Sequence, residues 1–497
     1  MGPIGATGHE PVPAQPEELV CHAQPTKDKV MRILVAIANY GTKNLKYLQT
    51  LLSEYRRMPF PVDIVILSNE PKDLGKDVEV RVGLPAKNPW SLPFAHKPLF
   101  AERSKDYDLF IYSEDDTPIA EKNIRAFLDA VRVLSGDEIA GFLRYETGPD
   151  GKRHISTAHG RFHWRPESVK KVGGDVFAEF TNAHSACFIL TREQLERAIA
   201  SGGFLVPPYE GEYDMLCSAA TDPYTRCGLT KVINISRLEE FLLPHLPNRY
   251  VGALGTEYSA FQEQIEALKQ IAAGKRPAAR ALPNRQLPGR PPWLKSFYEP
   301  CCQELIRLVP QGARSILSLA IGTGATECEL ARLGFRVTAI PLDSVICASA
   351  ESRGVEMAHG ELAPGLEKLG DRRFDCLILG RVIYLQEDPA AFVLKCSRLL
   401  ADGGRILIRE PNFGNLQTYG GRLLKKERYQ GLGSFREMGV TPVTLGRVRR
   451  WLKSAGLLVD RVIHVPDPDP SKPVRHLRLL PPSFASAEFI VAAQRRH

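Results

Sequence analysis

Tyr112-Ser113-Glu114-Asp115-Asp116-Thr117-Pro118-Ile119 places three carboxylates in a row, directly after Tyr107-Asp108-Leu109-Phe110-Ile111. The earlier segment is short, apolar, aromatic and β-branched, which is the pattern of a buried strand. Acids at the exit of such a strand face a cleft, because open α/β sheets bind ligands beyond the carboxyl ends of their strands. Adjacent anions repel one another, and a hard divalent cation with oxygen ligands relieves that crowding. Such a cation can bridge a nucleotide diphosphate and take up charge as the phosphate departs. The alternative is a solvated acidic turn ahead of a helix that starts near Glu121.

Working outward, Met31 to Ala38 reads as a first central strand that ends in Asn39-Tyr40-Gly41. A helix carrying Leu45, Leu48, Leu51, Leu52 and Tyr55 follows, then a second strand over Val62 to Leu67 that ends in Ser68-Asn69-Glu70. Strand, helix, strand with polar exits is the first half of a nucleotide-binding sheet. It makes Asn39, Ser68 and Asn69 candidates for nucleotide contacts. No GxGxxG opens the unit, which disfavours a dinucleotide fold. His96 and Lys97 either touch phosphates or sit in a surface loop anchored by Trp90.

Downstream of the acids, Ile139 to Glu146 is expected as one more strand. Arg161-Phe162-His163-Trp164 is suited to stacking on a sugar or base, with core packing of Trp164 as the alternative. Phe180 to Leu190 enters a strand through polar residues that include His184, and Thr191 caps the next helix. Asp214 opens a helix after Glu210-Gly211-Glu212, so its carboxylate lies in the positive field of that helix. His245, between Pro244 and Pro247, is held in place, which suits a metal ligand as well as a packed side chain.

This order of elements resembles glycosyltransferases of the GT-A fold over residues 31–252. The resemblance implies an α/β nucleotide-diphospho-sugar transferase domain in which Glu114-Asp115-Asp116 stands for the DxD motif. It further implies Mn2+ or Mg2+ held by Glu114, Asp115, Asp116 and His245. Asp214, seconded by Glu212, would orient or deprotonate the acceptor. Asn39, Ser68, Asn69, His96, Lys97, Trp164 and His184 would surround the nucleotide sugar. The acceptor would be a glycan or a lipid-linked glycan. The motif here is Glu-Asp-Asp, not a literal Asp-x-Asp.

Residues 1–30 are rich in Pro, Gly and Glu without periodicity and are expected to form a disordered leader. Residues 253–295 read as a linker with a short helix near Tyr258 to Ala272 and a Pro/Arg-rich run. A second domain then opens with Arg314 to Ile321 running into Gly322-Thr323-Gly324, and Arg336 to Leu342 forms its next strand. Phe374 to Leu379 and Gly404 to Asn412 are further strands. Over residues 296–465 this resembles class I S-adenosylmethionine-dependent methyltransferases, with the Pro411-Asn412-Phe413-Gly414 segment of MetW-like proteins. Residues 466–497 would complete that domain with a C-terminal strand.

The resemblance implies a Rossmann-like α/β fold that binds S-adenosylmethionine through Ala320, Gly322, Gly324, Asp343, Glu361 and Leu379. Ala320 replaces the first glycine of the usual motif, and Pro341 stands where an acid is expected. His359, Tyr384 and Glu410 are candidate bases. The reading is therefore a bifunctional glycan-modifying enzyme that combines glycosyl transfer with O-methylation. A glycosyltransferase with a degenerate methyltransferase domain, and a glycan-binding scaffold, are its rivals.

Composition bounds these readings. The chain has 497 residues, enough for two or three domains. A net charge of +8 without interleaved basic and aromatic residues gives no reason to expect nucleic acid. No apolar run is long enough to span a bilayer, and no signal segment is recognisable. Ten cysteines without a CxxC pair fit reduced thiols in a cytoplasmic protein, peripheral to a membrane if the acceptor is lipid-linked.

Overall fold

The apolar run that ends in Asn39 forms β1 (Ile33–Asn39), buried almost throughout. Residues buried on both faces are what a central parallel strand requires. β1 pairs in parallel with β2 (Val62–Ser68) on one side and β4 (Leu109–Glu114) on the other, and β3 (Val78–Val82) extends the sheet beyond β2. Cys187–Thr191 runs antiparallel beside β4 and closes this five-stranded sheet. The register sets Asn39 level with Ser68, and Ala38 level with Glu114, so the polar strand exits gather at one edge. Helix α1 (Leu45–Arg56) covers the sheet with Leu48, Leu51, Leu52 and Tyr55, an i, i+3, i+4, i+7 stripe. This computed structural model describes residues 30–156, 162–251, 255–282, 295–426, 429–466 and 481–495. The expected leader therefore lies outside the described residues.

The expected strand over Ile139 to Glu146 is two strands, Glu138–Ala140 and Leu143–Thr147, in different sheets. Gly141 marks the break: a Cβ there would stand 2.4 Å from Cε of Lys231, so the chain turns where only glycine fits. Leu143–Thr147 pairs in parallel with Leu242–Pro244, which carries His245 to the backbone of Tyr145, where its N–H donates at 2.8 Å.

Helix Tyr258–Ala272, expected inside the linker, belongs to the first unit. Its Tyr258, Phe261, Ile265 and Leu268 pack with Trp164 and Phe180. Trp164 is 1% exposed and is a core residue, not a stacking platform for a ligand.

The second unit is a seven-stranded sheet. Its order is Glu356–Met357, Arg336–Pro341, Ser315–Ile321, Phe374–Gly380, Leu400–Pro411, Ser486–Arg495 and Leu457–Pro466. The first five strands are parallel, and Ser486–Arg495 runs antiparallel between its two neighbours. Ser315–Ile321 is buried along its whole length and runs into the glycine turn, after which helix Ala325–Arg332 begins. Among the described residues, no helix is long and apolar enough to cross a membrane.

Candidate active sites

The first cleft opens beyond the carboxyl end of β4 and has a volume of about 300 Å3. Glu114, Asp115, Asp116, His184, Asp214 and His245 all line it, joined by Arg144, Cys217 and Arg249. Six positions between Glu114 and His245 in the sequence thus meet in one cavity.

Each acid has a different environment. Asp115 accepts hydrogen bonds from the side-chain amides of Asn39 at 2.6 Å and Asn44 at 2.8 Å, so it is turned into the wall. Burial nonetheless pushes its carboxyl up to about 6, against the amide hydrogen bonds. Glu114 is pushed up to about 8 by burial and by neighbouring Asp116 and Asp115, with Arg144 opposing. Arg144 Nη1 lies 3.9 Å from its Oε2, and His184 Nε2 lies 4.0 Å from its Oε1. Asp116 feels the same burial, yet His245 holds it below the usual carboxylate range. His245 Nε2 is 3.5 Å from Asp116 Oδ2, and its Nδ1 is 2.5 Å from Glu146 Oε1. The second oxygen of Glu146 accepts from the backbone N–H of Tyr250 at 2.7 Å.

These residues fit a divalent cation in part. Asp116 and His245 present an ionised carboxylate and a ring nitrogen side by side, with Glu146 fixing the far nitrogen, as carboxylate–histidine–metal arrangements require. Asp115 points at amide donors. Among the described residues, no group of three or more His, Cys, Asp and Glu is placed to hold a metal. Of the four expected ligands, Asp116 and His245 stand 3.5 Å apart, Asp115 is turned to Asn39 and Asn44, and Glu114 lies between Arg144 and His184. Two protein ligands suffice where substrate phosphate and water complete the shell, as is usual for Mg2+.

Other candidates fall elsewhere. Asp214 caps the helix Met215–Thr225, accepting from the Cys217 N–H at 2.9 Å, and stays exposed at the cleft. Glu212 is exposed but does not line the cavity. His96 is fully buried, with Nδ1 at 2.6 Å from the Pro93 carbonyl and its ring 4.3 Å from that of Tyr112. Lys97 pairs with Asp222 in the interior, and Tyr209 donates to the same carboxylate at 2.5 Å. Neither His96 nor Lys97 lines the cavity. Asn39 acts through Asp115, Ser68 donates to the Glu70 carbonyl at 2.7 Å, and Asn69 accepts from the Gly41 N–H at 2.7 Å. These three shape turns at the rim and do not line the cavity. Arg144 and Glu146 went unread in the sequence, although two buried charges at i and i+2 in a strand share one face.

The second cleft lies at the glycine turn, where the cavity enclosed by the described residues holds about 30 Å3, room for a water or two. Ala320, Gly322 and Gly324 line it with Ser318, Glu327, Gly380 and Arg409. Ala320 has φ +55°, a left-handed conformation in which alanine stands where glycine is at ease. Asp343, Glu361 and Leu379 do not line the cavity. Asp343 is 1% exposed and uses Oδ1 to accept from the Val345 and Ile346 N–H groups at 2.8 and 2.7 Å. Its Oδ2 has no hydrogen-bond partner among the described residues. Glu361 is exposed ahead of helix Leu362–Lys368, and Leu379 is core.

The candidate bases do not line this cavity. Glu410 accepts from the backbone N–H groups of Val382, Ile383 and Tyr384, and holds the turn beyond Gly380. Tyr384 is fully buried, and His359 lies 3.7 Å from Glu351, away from the cavity.

Residues 317–408 match the family described as methyltransferase domain. Ubiquinone biosynthesis O-methyltransferases of Xanthomonas axonopodis pv. citri and Xanthomonas oryzae pv. oryzae are 27% identical over 165 residues, which is 31% of this chain and 67% of each relative. A SAM-dependent methyltransferase from Archaeoglobus fulgidus is similar in structure, with a TM-score of 0.29, 14% identity and coverage of 39% of this chain and 90% of its own. The N-methyltransferase NodS of Bradyrhizobium japonicum, in complex with S-adenosyl-L-homocysteine, gives 0.28, 14%, 39% and 85%. These scores are too low to carry an argument. The sequence match is the firmer likeness: residues 317–408 resemble a methyltransferase domain.

Proposed function

We propose that the chain is a two-site transferase. The N-terminal cleft takes a nucleotide sugar with Mn2+ or Mg2+ and passes the sugar to a glycan hydroxyl. The C-terminal domain methylates an oxygen with S-adenosylmethionine. The observation that carries the first half is the convergence of Asp116, His245 and Asp214 in one cavity at the end of β4.

In this reading Asp116 and His245 hold the cation, and Glu146 keeps the His245 ring oriented. Bound there, a divalent ion would neutralise the donor diphosphate as it leaves. Arg144 and Arg249 add positive charge to the same wall, and Asp214 accepts a hydrogen bond from the acceptor hydroxyl. For the second half, S-adenosylmethionine supplies an activated methyl group, so the domain's own task is positioning. The two O-methyltransferase relatives support oxygen as the methyl acceptor.

A second reading, glycosyl transfer alone, is favoured by Ala320 at positive φ and by Pro341 at the end of its strand. Thermal unfolding against nucleotide sugars with Mn2+, with and without EDTA, tests the first site. A hundredfold excess over Kd raises stability by about 2.7 kcal/mol. Absence of any metal-dependent shift across the nucleotide panel would remove the glycosyltransferase reading. Calorimetry with S-adenosylmethionine tests the second site.

A further inference from the structure

In an open parallel sheet a ligand is recognised by backbone groups at the strand exits. At the second cleft those groups are engaged by the chain's own linker. Ala281 N–H donates to the Leu342 carbonyl at 2.9 Å, and Ser344 N–H donates to the Ala279 carbonyl at 3.0 Å, forming a bridge between Arg280 and Asp343. The Ala281 carbonyl accepts from Leu362 N–H at 2.8 Å, so this one residue joins the turns after two neighbouring strands. Ala281 and Leu282 are each 2% exposed and pack with Leu319, Ile340 and Leu362.

A second piece of the linker covers the glycine turn. The Phe297 carbonyl accepts from Thr323 N–H at 2.9 Å, and a Cβ at Gly322 would come within 1.9 Å of the same oxygen. Lys295 donates to the Gly380 carbonyl at 2.6 Å. Among the described residues, the cavity beside Lys295 and the glycine turn holds about 30 Å3, room for a water or two.

We propose that residues 276–282 and 295–298 are an intramolecular competitor of S-adenosylmethionine, so the methyltransferase cleft opens only when this strap leaves it. The inference rests on the S-adenosylmethionine reading of the second site. The strap is tied to the N-terminal unit: Arg280 Nε lies 2.9 Å from Glu167, and Phe297 stacks on His163 with ring centroids 3.8 Å apart. It is also tied within its own unit by the Arg276–Glu351 ion pair. The first domain thus holds the latch of the second. Displacement exposes Leu342 O, Leu362 N–H and Thr323 N–H together, and the unpartnered Oδ2 of Asp343 lies beside them.

The test is equilibrium binding of S-adenosylmethionine to the full chain and to two variants. Ala281→Pro removes the N–H that bonds Leu342, and Arg280→Ala removes the ion pair with Glu167. An open fraction below one in ten weakens apparent affinity about tenfold. Both variants should therefore bind at least about tenfold tighter than the natural chain. Arg280→Ala keeps the test valid if the proline variant does not fold. Hydrogen exchange on the natural chain gives a second readout: saturating S-adenosylmethionine should speed exchange at Ala281. Equal affinities, with Ala281 still protected, would overturn the strap while leaving the cofactor reading intact. No binding by any of the folded proteins would overturn both.

Discussion

The two clefts occupy equivalent places, at the carboxyl ends of parallel strands, and differ in what satisfies the polar groups there. In the first, side chains from distant elements surround about 300 Å3 and leave Asp116, His245, Arg144 and Asp214 facing open space. In the second, carbonyls and N–H groups of the linker reach the strand exits, and the cavity that the described residues enclose at the glycine turn holds about 30 Å3. A sheet edge of this kind always presents unsatisfied backbone groups. Whether they await a ligand or are already bonded depends on the segment laid across them, not on the sheet.

The largest effect that would sharpen this contrast concerns the core beside the first cleft. Lys97→Ala leaves Asp222 as an uncompensated buried charge and should cost about 3–5 kcal/mol in chemical unfolding. A nearly unchanged unfolding midpoint with weakened donor binding would return Lys97 to the ligand. Next, Asp116→Ala should lower glycosyl transfer on the order of a hundredfold, the scale of losing one preorganised electrostatic group. Full, metal-dependent transfer by that variant would erase the distinction between an active and a filled cleft.

Glu146→Gln tests the support behind His245. Loss of an outer-shell carboxylate typically costs about 10–100-fold in metal affinity. The Mn2+ concentration giving half the maximal thermal shift should rise by that factor.

Acidity offers a subtler probe. Glu114 is raised from 4.5 to about 8, and Asp115 from 3.8 to about 6. The folded chain therefore holds more protons than the unfolded chain between these limits, and stability falls as pH rises through about 4 to 8. Glu114→Gln should flatten the upper part of that decline in urea titrations across pH. The smallest effect lies in the second cleft: Ala320→Gly relieves a positive φ and should stabilise by about 1 kcal/mol or less, since glycine also loosens the unfolded chain. Destabilisation instead would show that the Ala320 methyl is needed for packing at the filled site.

Much of the architecture was legible. The run from Ile33 to Asn39, the stripe of α1 and the segment ending at Glu114 each follow from local periodicity, because a strand or helix burying one pattern of side chains writes that pattern into consecutive residues. The gathering of Asp116, Asp214 and His245 was accessible through the order of elements. Two things were not: the division of Ile139 to Glu146 between two sheets, and the burial of Trp164, His96 and Lys97. Their sequences are as compatible with a ligand wall as with a core.

The sequence by itself determined two α/β units, a carboxylate cluster at a strand exit and a methyltransferase-type glycine turn, since each is a matter of neighbouring residues. Only the tertiary structure decided which carboxylate meets His245, because Glu146 and His245 lie 99 residues apart and touch through the pairing of two short strands. It also decided that the linker lies in the second cleft. That docking uses backbone groups of Ala279 and Ala281, which every residue carries alike, so no side-chain pattern announces it.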